Sequence, residues 1–517
     1  MLLFPNCFLS TSFLRPISTL LLVALGTFGT LAAHPDSTAT PAPKPGTYTD
    51  KVVAHYKKQL TQGLDEYGPK KTAFWMASLD TKTGKYPAAP TRPEHIPQRA
   101  YLDRYVDAPK GATLYWDMPS IVAAMNLSAL TKDDFYRKSA TNYLNAFIQH
   151  CVADNGTFLW GNHYYYDAYR DSTMKFGSTP VAVNLKTESG NLHEARPIIP
   201  AWDVFWKLSP DVIKKQLIVS TENHLVDPET GEFNRHADRK SDHAFIEAGG
   251  ILVYTMAWLY DKTKDPKYQQ TADRIAVFSF DKRDRTTGLI PISPMHNRWD
   301  RDVTTTEAGL WASCVLKSAE WADKAHAAKW VGMADEAMTA WLKYSFDEKK
   351  QRYYGMLNLA DGKPVWRTDN YPYKPQNYAD VWEPLFPTHN YPISLAESCL
   401  MLYKHTKKEQ YRQAVDRWVT TIREEMPARQ GKGAYAEQYG RVIHFLLSCH
   451  EQLGGTSYKA LATQVADEAV RVLWAQDMFR SHPGEDRYDA VDGTGILALS
   501  LLWLDSGKKP DMMGLYF

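Results

Sequence analysis

The chain has 517 residues, and its 60 lysines and arginines almost balance its 59 aspartates and glutamates, giving a formal net charge of +1. This balance argues against proteins that need a strongly positive field to bind nucleic acid. The five cysteines include no pair in a CxxC spacing, which argues against a zinc ribbon or a disulfide scaffold. We expect either buried thiols or one or two disulfides among Cys151, Cys314, Cys399 and Cys449.

The first 46 residues are predicted to lie outside the folded domain. Arg15 precedes an apolar run at 17–31 that is short for a membrane span, and small residues follow it. This pattern is typical of a secretory signal peptide, here 1–33, with a retained anchor as the alternative. Residues 34–46 are rich in Pro, Ser, Thr and Ala and predict a linker. We therefore expect a secreted or periplasmic protein with no membrane span after signal removal.

The remainder, 47–517, contains no second linker and is predicted to form a single domain. Apolar residues recur at helical spacing along it and indicate about fourteen helices, or seven pairs. The predicted helices are 48–65, 117–129, 133–150, 198–207, 209–223, 243–262, 266–279, 305–324, 328–345, 390–406, 408–425, 435–452, 456–475 and 489–505.

A similar segment follows the second helix of several pairs, at 152–160, 226–236, 281–293 and 346–357. Each contains charged residues, usually a glycine turn, and then a short apolar or aromatic extended piece. Such a repeat indicates helical hairpins that stack on their neighbours, and closing the row into a ring removes its exposed ends. The predicted fold is all-α, an (α/α)6 or (α/α)7 toroid with short β pieces in the loops. An open solenoid is the alternative.

Three polar clusters interrupt these hairpins. The first is WGNHYYYD at 160–167, with Trp160, His163 and Tyr166, where aromatic rings could stack on sugar and the histidine and a tyrosine could move protons. An aromatic packing cluster under a loop is the other interpretation. The second, NLHEARP at 191–197, could bind a divalent cation through His193 and Glu194 with His163, or could simply cap the next helix.

The third cluster, FNRHADRKSDHAF at 233–245, contains Asn234, Arg235, His236 and His243. A solvated charged loop is the alternative. These residue types suit β-elimination from a uronate, which needs a base, a proton donor for the leaving oxygen, and groups that neutralise the carboxylate. Histidine can be the base near neutral pH, tyrosine can donate, and asparagine with arginine can hold the carboxylate.

Later aromatic and basic residues are candidates for sugar binding: Arg298, Trp299, Trp382 and Tyr439. A glycoside hydrolase on the same toroid is the second functional hypothesis, because hydrolysis uses two carboxylates that flank the bond. Its candidates are Glu307, Glu383, Glu437, Asp489 and Asp492. A glycan-binding protein without activity is the third hypothesis, and it would present an exposed aromatic platform.

Segments across most of 47–517 resemble secreted bacterial proteins related to pectate-lyase-like and other (α/α)-toroid polysaccharide lyases. The resemblance covers YGPKKTAFWMASLDTKTG at 67–84, GATLYWDMPSIVAAMNLSALT at 111–131, the three clusters, and YDAVDGTG at 488–495. It implies an acidic polysaccharide or oligosaccharide as substrate, Tyr or His as acid and base, and Asn with Arg holding the uronate. We place that pattern on Asn234, Arg235, His236, Tyr166 and His163, and some such lyases also bind a cation.

Overall fold

The computed structural model describes residues 47–87, 110–175, 180–186, 192–297, 299–366, 378–382, 392–430 and 433–516. The predicted signal peptide and linker lie outside these ranges. The described helices, fourteen in number, are α1 Thr47–Gln62, α2 Leu114–Thr131, α3 Asp134–His150, α4 Trp202–Leu208, α5 Pro210–His224, α6 Ile246–Thr263, α7 Pro266–Asp281, α8 Thr305–Ser318, α9 Lys324–Tyr344, α10 Ile393–Thr406, α11 Glu409–Glu424, α12 Ala436–Leu453, α13 Thr456–Leu473 and α14 Thr494–Ser506.

Two kinds of helix alternate along the chain. In α6 every residue from Ile246 to Leu259 is buried, as expected for a helix that is surrounded by protein. In α11 the buried residues recur every three or four positions, from Tyr411 to Ile422, which leaves a polar face for solvent. Inner helices therefore alternate with outer ones, and an aspartate N-cap begins several of the outer helices, as Asp265 does for α7.

The inner helices pack side by side in the order α6, α8, α10, α12, α14 and α2. The short α4 occupies the interval between α2 and α6, because Trp202 lies 6.4 Å from the Trp258 ring of α6 and Tyr115 of α2 accepts a hydrogen bond from Ile198 just before α4. Outer helices α3, α5, α7, α9, α11 and α13 each pack on the inner helix before them, and α1 packs on α14. The predicted (α/α) toroid is confirmed, with seven helix pairs in the described chain.

Short strands occupy the connections. Those described are β1 Ser78–Asp80, β2 Gly111–Ala112, β3 Tyr164–Asp167, β4 Ser172–Lys175, β5 Val181–Ala182, β6 Leu225–Asp227, β7 Glu232–Phe233, β8 Asp302–Thr304, β9 Phe346–Asp347, β10 Arg352–Tyr353, β11 Met356–Asn358, β12 Trp474–Ala475, β13 Met478–Phe479 and β14 Arg487–Asp489. Strands β6 with β7, β9 with β10, and β12 with β13 form hairpins directly after outer helices α5, α9 and α13. Two of the four repeated segments of the sequence, 226–236 and 346–357, contain such hairpins. Strand β1 pairs with β14 and so joins the two ends of the ring.

Glycine permits close contact between inner helices. A Cβ placed on Gly495 of α14 would stand 2.2 Å from the backbone nitrogen of Ser120 in α2, and one on Gly440 of α12 would stand 2.5 Å from that of Leu497. The four cysteines at 151, 314, 399 and 449 are buried free thiols, so the first of the two predicted alternatives is correct. Within the described ranges, no helix combines the length and apolar character needed to cross a bilayer.

We predict that Gly495→Ala lowers the free energy of unfolding by about 1–3 kcal/mol or more, because the new methyl group meets backbone that cannot move without shifting a helix. Gly332→Ala in α9 is the matched control, since nothing lies within 4 Å of its Cβ. The control should gain roughly 0.5–1 kcal/mol from helix propensity. Chemical denaturation measures both, and equal effects would contradict the close packing of α14 on α2.

Candidate functional site

Three loop segments meet beside one another at the ends of the inner helices. The backbones of Trp160 and His193 form a parallel β-bridge, and those of Glu194 and His236 form an antiparallel one. The Glu194 amide donates to the Trp160 carbonyl at 2.9 Å, and the Ala195 amide donates to the Arg235 carbonyl at 2.9 Å. The segment around Glu194 is therefore the middle strand of a small three-stranded arrangement that unites the three clusters noted in the sequence.

The Glu194 carboxylate is the centre of this arrangement. Its side chain is 1% exposed, and its Oε1 lies 2.9 Å from His163 Nδ1 and 3.5 Å from His236 Nδ1. Burial favours the neutral acid, but His163, His236 and the charge of Arg196 outweigh it and hold the pKa of Glu194 well below its usual range. Gly161 makes room for this side chain, since a Cβ there would stand 2.9 Å from the Glu194 Cβ.

Both ring nitrogens of His236 have partners. Nδ1 faces Glu194, and Nε2 accepts from Arg235 Nε at 3.3 Å. Burial lowers the pKa of His236, with Glu194 opposing the shift, so the ring is neutral at pH 7. The Arg235 guanidinium also lies over the Phe245 ring, 4.5 Å from its centroid, which fixes it beside the histidine.

Asn234 holds the turn that presents these two residues. Its side-chain amide donates to Asp238 at 2.9 Å and to the Lys240 carbonyl at 2.7 Å, and its Oδ1 accepts from the His236 amide at 2.8 Å. The side chain is buried. Asn234 is thus engaged within the loop, and the structure gives it a positioning role in place of the predicted contact with a carboxylate.

His243 lies next to the cluster and is part exposed. Its Nδ1 contacts the Asp242 carboxylate, and its ring is 5.9 Å from that of His236 and 5.1 Å from that of His296. Asp242 has a φ of +92°, an unusual value for a residue other than glycine. Backbone strain of this kind persists where the surrounding structure imposes it, often at functional sites.

Other predicted residues lie elsewhere. His193 turns away from Glu194, because its Nδ1 lies 2.8 Å from His224 Nε2. The Tyr166 ring packs between the rings of Phe74 and His150, with centroids 4.8 and 5.7 Å away. These contacts do not bring Tyr166 beside Glu194. In β3 it is Tyr164 that interacts electrostatically with Glu194. Burial and then the charge of the Glu194 carboxylate raise the pKa of Tyr164.

The predicted sugar-binding aromatics are mostly core residues. Trp160 is buried against Tyr115, with ring centroids 5.2 Å apart, and Trp382 is buried against Tyr439 at 5.5 Å. Tyr439 also donates to Glu468 at 2.8 Å, which occupies its hydroxyl. These rings therefore do not form an open platform. Trp299 is half-buried, and its amide donates to the His296 carbonyl; Arg298 lies outside the described residues.

Sequence reasoning missed Glu247 and assigned Glu307 only to the hydrolase alternative. Both belong to the first turn of an inner helix, α6 and α8 respectively. Burial raises the pKa of Glu247, while Arg235 and Arg196 oppose the shift. Burial and then the charge of Glu247 raise the pKa of Glu307 to about 8. An acidic residue in the first turn of an otherwise apolar helix was the available signal.

The remaining hydrolase candidates are buried, two of them in ion pairs, or lie outside the described part of the chain. Glu437 pairs with Arg441 at 2.9 Å, and Asp489 pairs with Arg487 at 3.1 Å. Asp492 is buried near the start of α14, and Glu383 falls outside the described residues. The Tyr115 hydroxyl is close to both groups of residues. The charge of Arg196 from the loops and the charges of Glu437 and Arg441 from α12 all contribute to its pKa.

The donor set best suited to a divalent cation is His163, Glu194 and His236. Among the described residues, no group of three or more His, Cys, Asp or Glu has an arrangement that could hold a metal ion as it stands. Two donors that share an ion at about 2.0–2.2 Å lie roughly 3–3.5 Å apart. The 3.5 Å separation of His236 from Glu194 lies at the end of that range, and the 2.9 Å separation of His163 is slightly shorter. Two imidazoles and a carboxylate suit a divalent transition metal. Of the predicted ligands, His163 and Glu194 fit this set and His193 does not.

Residues 122–248 match the model of a protein family described as periplasmic pectate lyase. The matched stretch contains His163, Glu194, Arg235 and His236. Among solved structures, the chain is similar to a family 76 glycoside hydrolase from a bovine Bacteroides thetaiotaomicron strain, at 11% identity and a TM-score of 0.46, over 89% of this chain and 78% of that one.

Two further structures show a similar level of likeness. An unsaturated glucuronyl hydrolase specific for heparin has 11% identity and a TM-score of 0.45, over 90% of this chain and 100% of the other. A cellobiose 2-epimerase from Bacillus thermoamylovorans has 8% identity and a TM-score of 0.45, over 88% of this chain and 99% of the other.

We predict that Glu307 makes stability decrease as pH rises. In the unfolded chain a glutamate deprotonates near about pH 4.3, whereas Glu307 in the folded protein keeps its proton up to about pH 8. Between these values the folded state binds more protons than the unfolded state, so the free energy of unfolding falls, by at most about 1.4 kcal/mol per pH unit for one group. Urea denaturation from about pH 5 to about pH 8 should give a flatter slope for Glu307→Gln, and parallel slopes would contradict the raised pKa.

Proposed function

We propose that this protein is a secreted or periplasmic polysaccharide lyase that cleaves a uronic-acid-containing polysaccharide by β-elimination. The observation that carries the proposal is the position of Arg235 against His236, which in turn contacts the buried Glu194 carboxylate. The family model of periplasmic pectate lyases supports it, because the matched residues include all three groups. The predicted signal peptide supports the location.

The arginines supply the charge that the reaction needs. β-Elimination removes the proton on the carbon next to the carboxylate, and that proton becomes more acidic when the carboxylate is neutralised. Arg235 presents a guanidinium beside the cluster, and Arg196 is a second, buried arginine whose charge acts on Glu194, Glu247 and Glu307 as well. A guanidinium can bind a carboxylate through two hydrogen bonds, so Arg235 both orients the sugar and stabilises the developing charge.

His163, Glu194 and His236 would hold a divalent cation. Such an ion supplies positive charge and Lewis acidity toward a substrate carboxylate. The protein contributes a buried and ionised Glu194, and two neighbouring imidazoles that are 36% and 25% exposed, so the cluster opens toward solvent on its histidine side.

His243 is the proton acceptor in this proposal. The Asp242 carboxylate at its Nδ1 fixes the tautomer in which Nε2 accepts a proton, and no hydrogen bond to that Nε2 occurs within the described ranges. Its backbone carbonyl accepts from the Arg235 amide at 2.9 Å, so the acceptor and the carboxylate-binding arginine belong to one rigid turn. His236, one of the residues predicted to act as acid or base, has partners at both ring nitrogens.

A glycoside hydrolase is the second candidate function, because Glu247 and Glu307 interact electrostatically on neighbouring helices. The product separates the two functions. A lyase creates an unsaturated uronate with new ultraviolet absorbance, whereas a hydrolase creates reducing ends without it. A glycan-binding protein is disfavoured by the burial of Trp160 and Trp382.

We predict that acidic polysaccharides give the unsaturated product and that Arg235→Lys lowers turnover by roughly a hundredfold or more. Lysine keeps the charge but loses the planar fork that binds a carboxylate. Arg239→Lys is the matched control, because Arg239 is in the same loop but its guanidinium bonds the exposed Glu222 carbonyl and Asn223. Equal turnover of the two variants would contradict the role of Arg235 in substrate binding. New reducing ends without ultraviolet absorbance would show that the protein is a hydrolase and not a lyase.

We also predict that two histidine variants separate cation binding from proton transfer. Titration with Co²⁺, followed by visible absorption, should show that His236→Ala and Glu194→Gln bind the ion at least about tenfold more weakly, the usual scale for a lost ligand contact. His243→Ala should bind Co²⁺ like the wild type, yet lose roughly a hundredfold in turnover. Unchanged Co²⁺ binding in His236→Ala would overturn the cation site, and full turnover in His243→Ala would overturn the acceptor.

A further inference from the structure

Glu247 and Glu307 occupy equivalent places on two adjacent inner helices. Helices α6 and α8 run in the same direction, because an outer helix returns the chain between them, and they approach closely where a Cβ on Gly250 would stand 2.9 Å from the Trp311 Cα. Glu247 lies three residues before Gly250, and Glu307 lies four residues before Trp311. Both carboxyl groups therefore leave the helices one turn before the crossing, at the end where the loops of the site meet.

A capping box with Thr304 does not account for Glu307. The sequence from Thr304 to Glu307 has the Thr-x-x-Glu pattern of a capping box, in which the threonine side chain would accept from the backbone of Glu307. The Thr304 side chain makes no such bond at the start of α8, and its buried Oγ1 has no hydrogen-bond partner among the described residues. Strand β8 positions the helix instead, by pairing with β11.

The charged groups that act on Glu307 are those of the proposed site. Glu247 acts on it from α6, and Arg235 and Arg196 act on it from the loops. Glu307 retains part of its surface, whereas Glu247 is buried, so Glu307 is the member of the pair that a ligand can reach. With a pKa raised by burial and by Glu247 to about 8, it carries a proton at neutral pH.

We infer that Glu307 is the proton donor to the leaving sugar oxygen, an assignment that rests on the proposed lyase function. The acceptor, His243, removes the proton from the carbon beside the uronate carboxylate. The electron pair of the broken carbon–hydrogen bond forms the new carbon–carbon double bond. The bond from the next carbon to the glycosidic oxygen breaks, and this oxygen takes the proton of the Glu307 carboxyl group. After the products leave, His243 releases the abstracted proton to water and the Glu307 carboxylate takes a proton from water, which restores both groups. Glu247 is a positioning residue, since its charge helps to keep the proton on Glu307.

The test compares two leaving groups in wild type and Glu307→Gln. The natural polysaccharide expels an alkoxide, which needs a proton, whereas a uronide carrying a 4-nitrophenoxy group at the eliminated position expels a stable phenolate, which does not. We expect Glu307→Gln to lose roughly a hundredfold or more in turnover on the polysaccharide and only a few-fold on the nitrophenoxy substrate. Glu307→Asp should recover part of the polysaccharide turnover.

Equal losses on both substrates would overturn the donor assignment, and so would full turnover of the polysaccharide by Glu307→Gln. His243→Ala is the matched control, because loss of the acceptor should slow both substrates alike. A thermal transition of Glu307→Gln at or above that of the wild type at neutral pH shows that folding is intact. If the wild type eliminates neither substrate, the lyase function itself fails; if it eliminates both, the ratio of the two losses tests Glu307 alone.

Discussion

The site depends on keeping one carboxylate charged where water is scarce. Glu194 is almost fully buried, and an isolated carboxylate there would be neutral. Two imidazoles at its oxygens and the charge of Arg196 reverse that preference. Because these partners come from three separate loops, ionising Glu194 also fixes those loops relative to one another. The loops in turn carry Arg235 and His243, so the positions of these two side chains follow from the stabilisation of a single buried charge.

The toroid places that charge where the backbone helps it. All inner helices begin at the same end of the ring, and the first turn of a helix presents unpaired amides and a partial positive charge. Glu247, Glu307 and Glu437 belong to such first turns. The same end of the ring therefore suits an acidic ligand. It also stabilises buried carboxyl groups, so that not every one of them needs a metal or a basic side chain as a partner.

The fold could be predicted from sequence more completely than the site. Helical spacing is local, so the helices were visible in the sequence, with differences at their ends, as in α8, which stops at Ser318 where the periodicity continues. The pairing of α1 with α14 was not visible, because it joins distant parts of the chain. The clusters around His163, Glu194 and His236 were also visible, as loops rich in polar residues. The sequence did not show which way the side chains of these loops point. His193 faces His224 and Trp160 faces Tyr115 because of contacts between segments that are distant in the chain.

The seventh helix pair has a consequence for how the molecule is made. Helix α1 finds its partner in α14, and β1 finds its partner in β14, so the first and last secondary structures of the described chain complete each other. Pairings at such sequence separation carry a large loop-closure cost and form late. The middle hairpins can stack on one another first, yet the ring stays open until α14 and β14 are available to pair with α1 and β1. Whichever hairpins form first, closing the ring therefore depends on elements from both ends of the described chain.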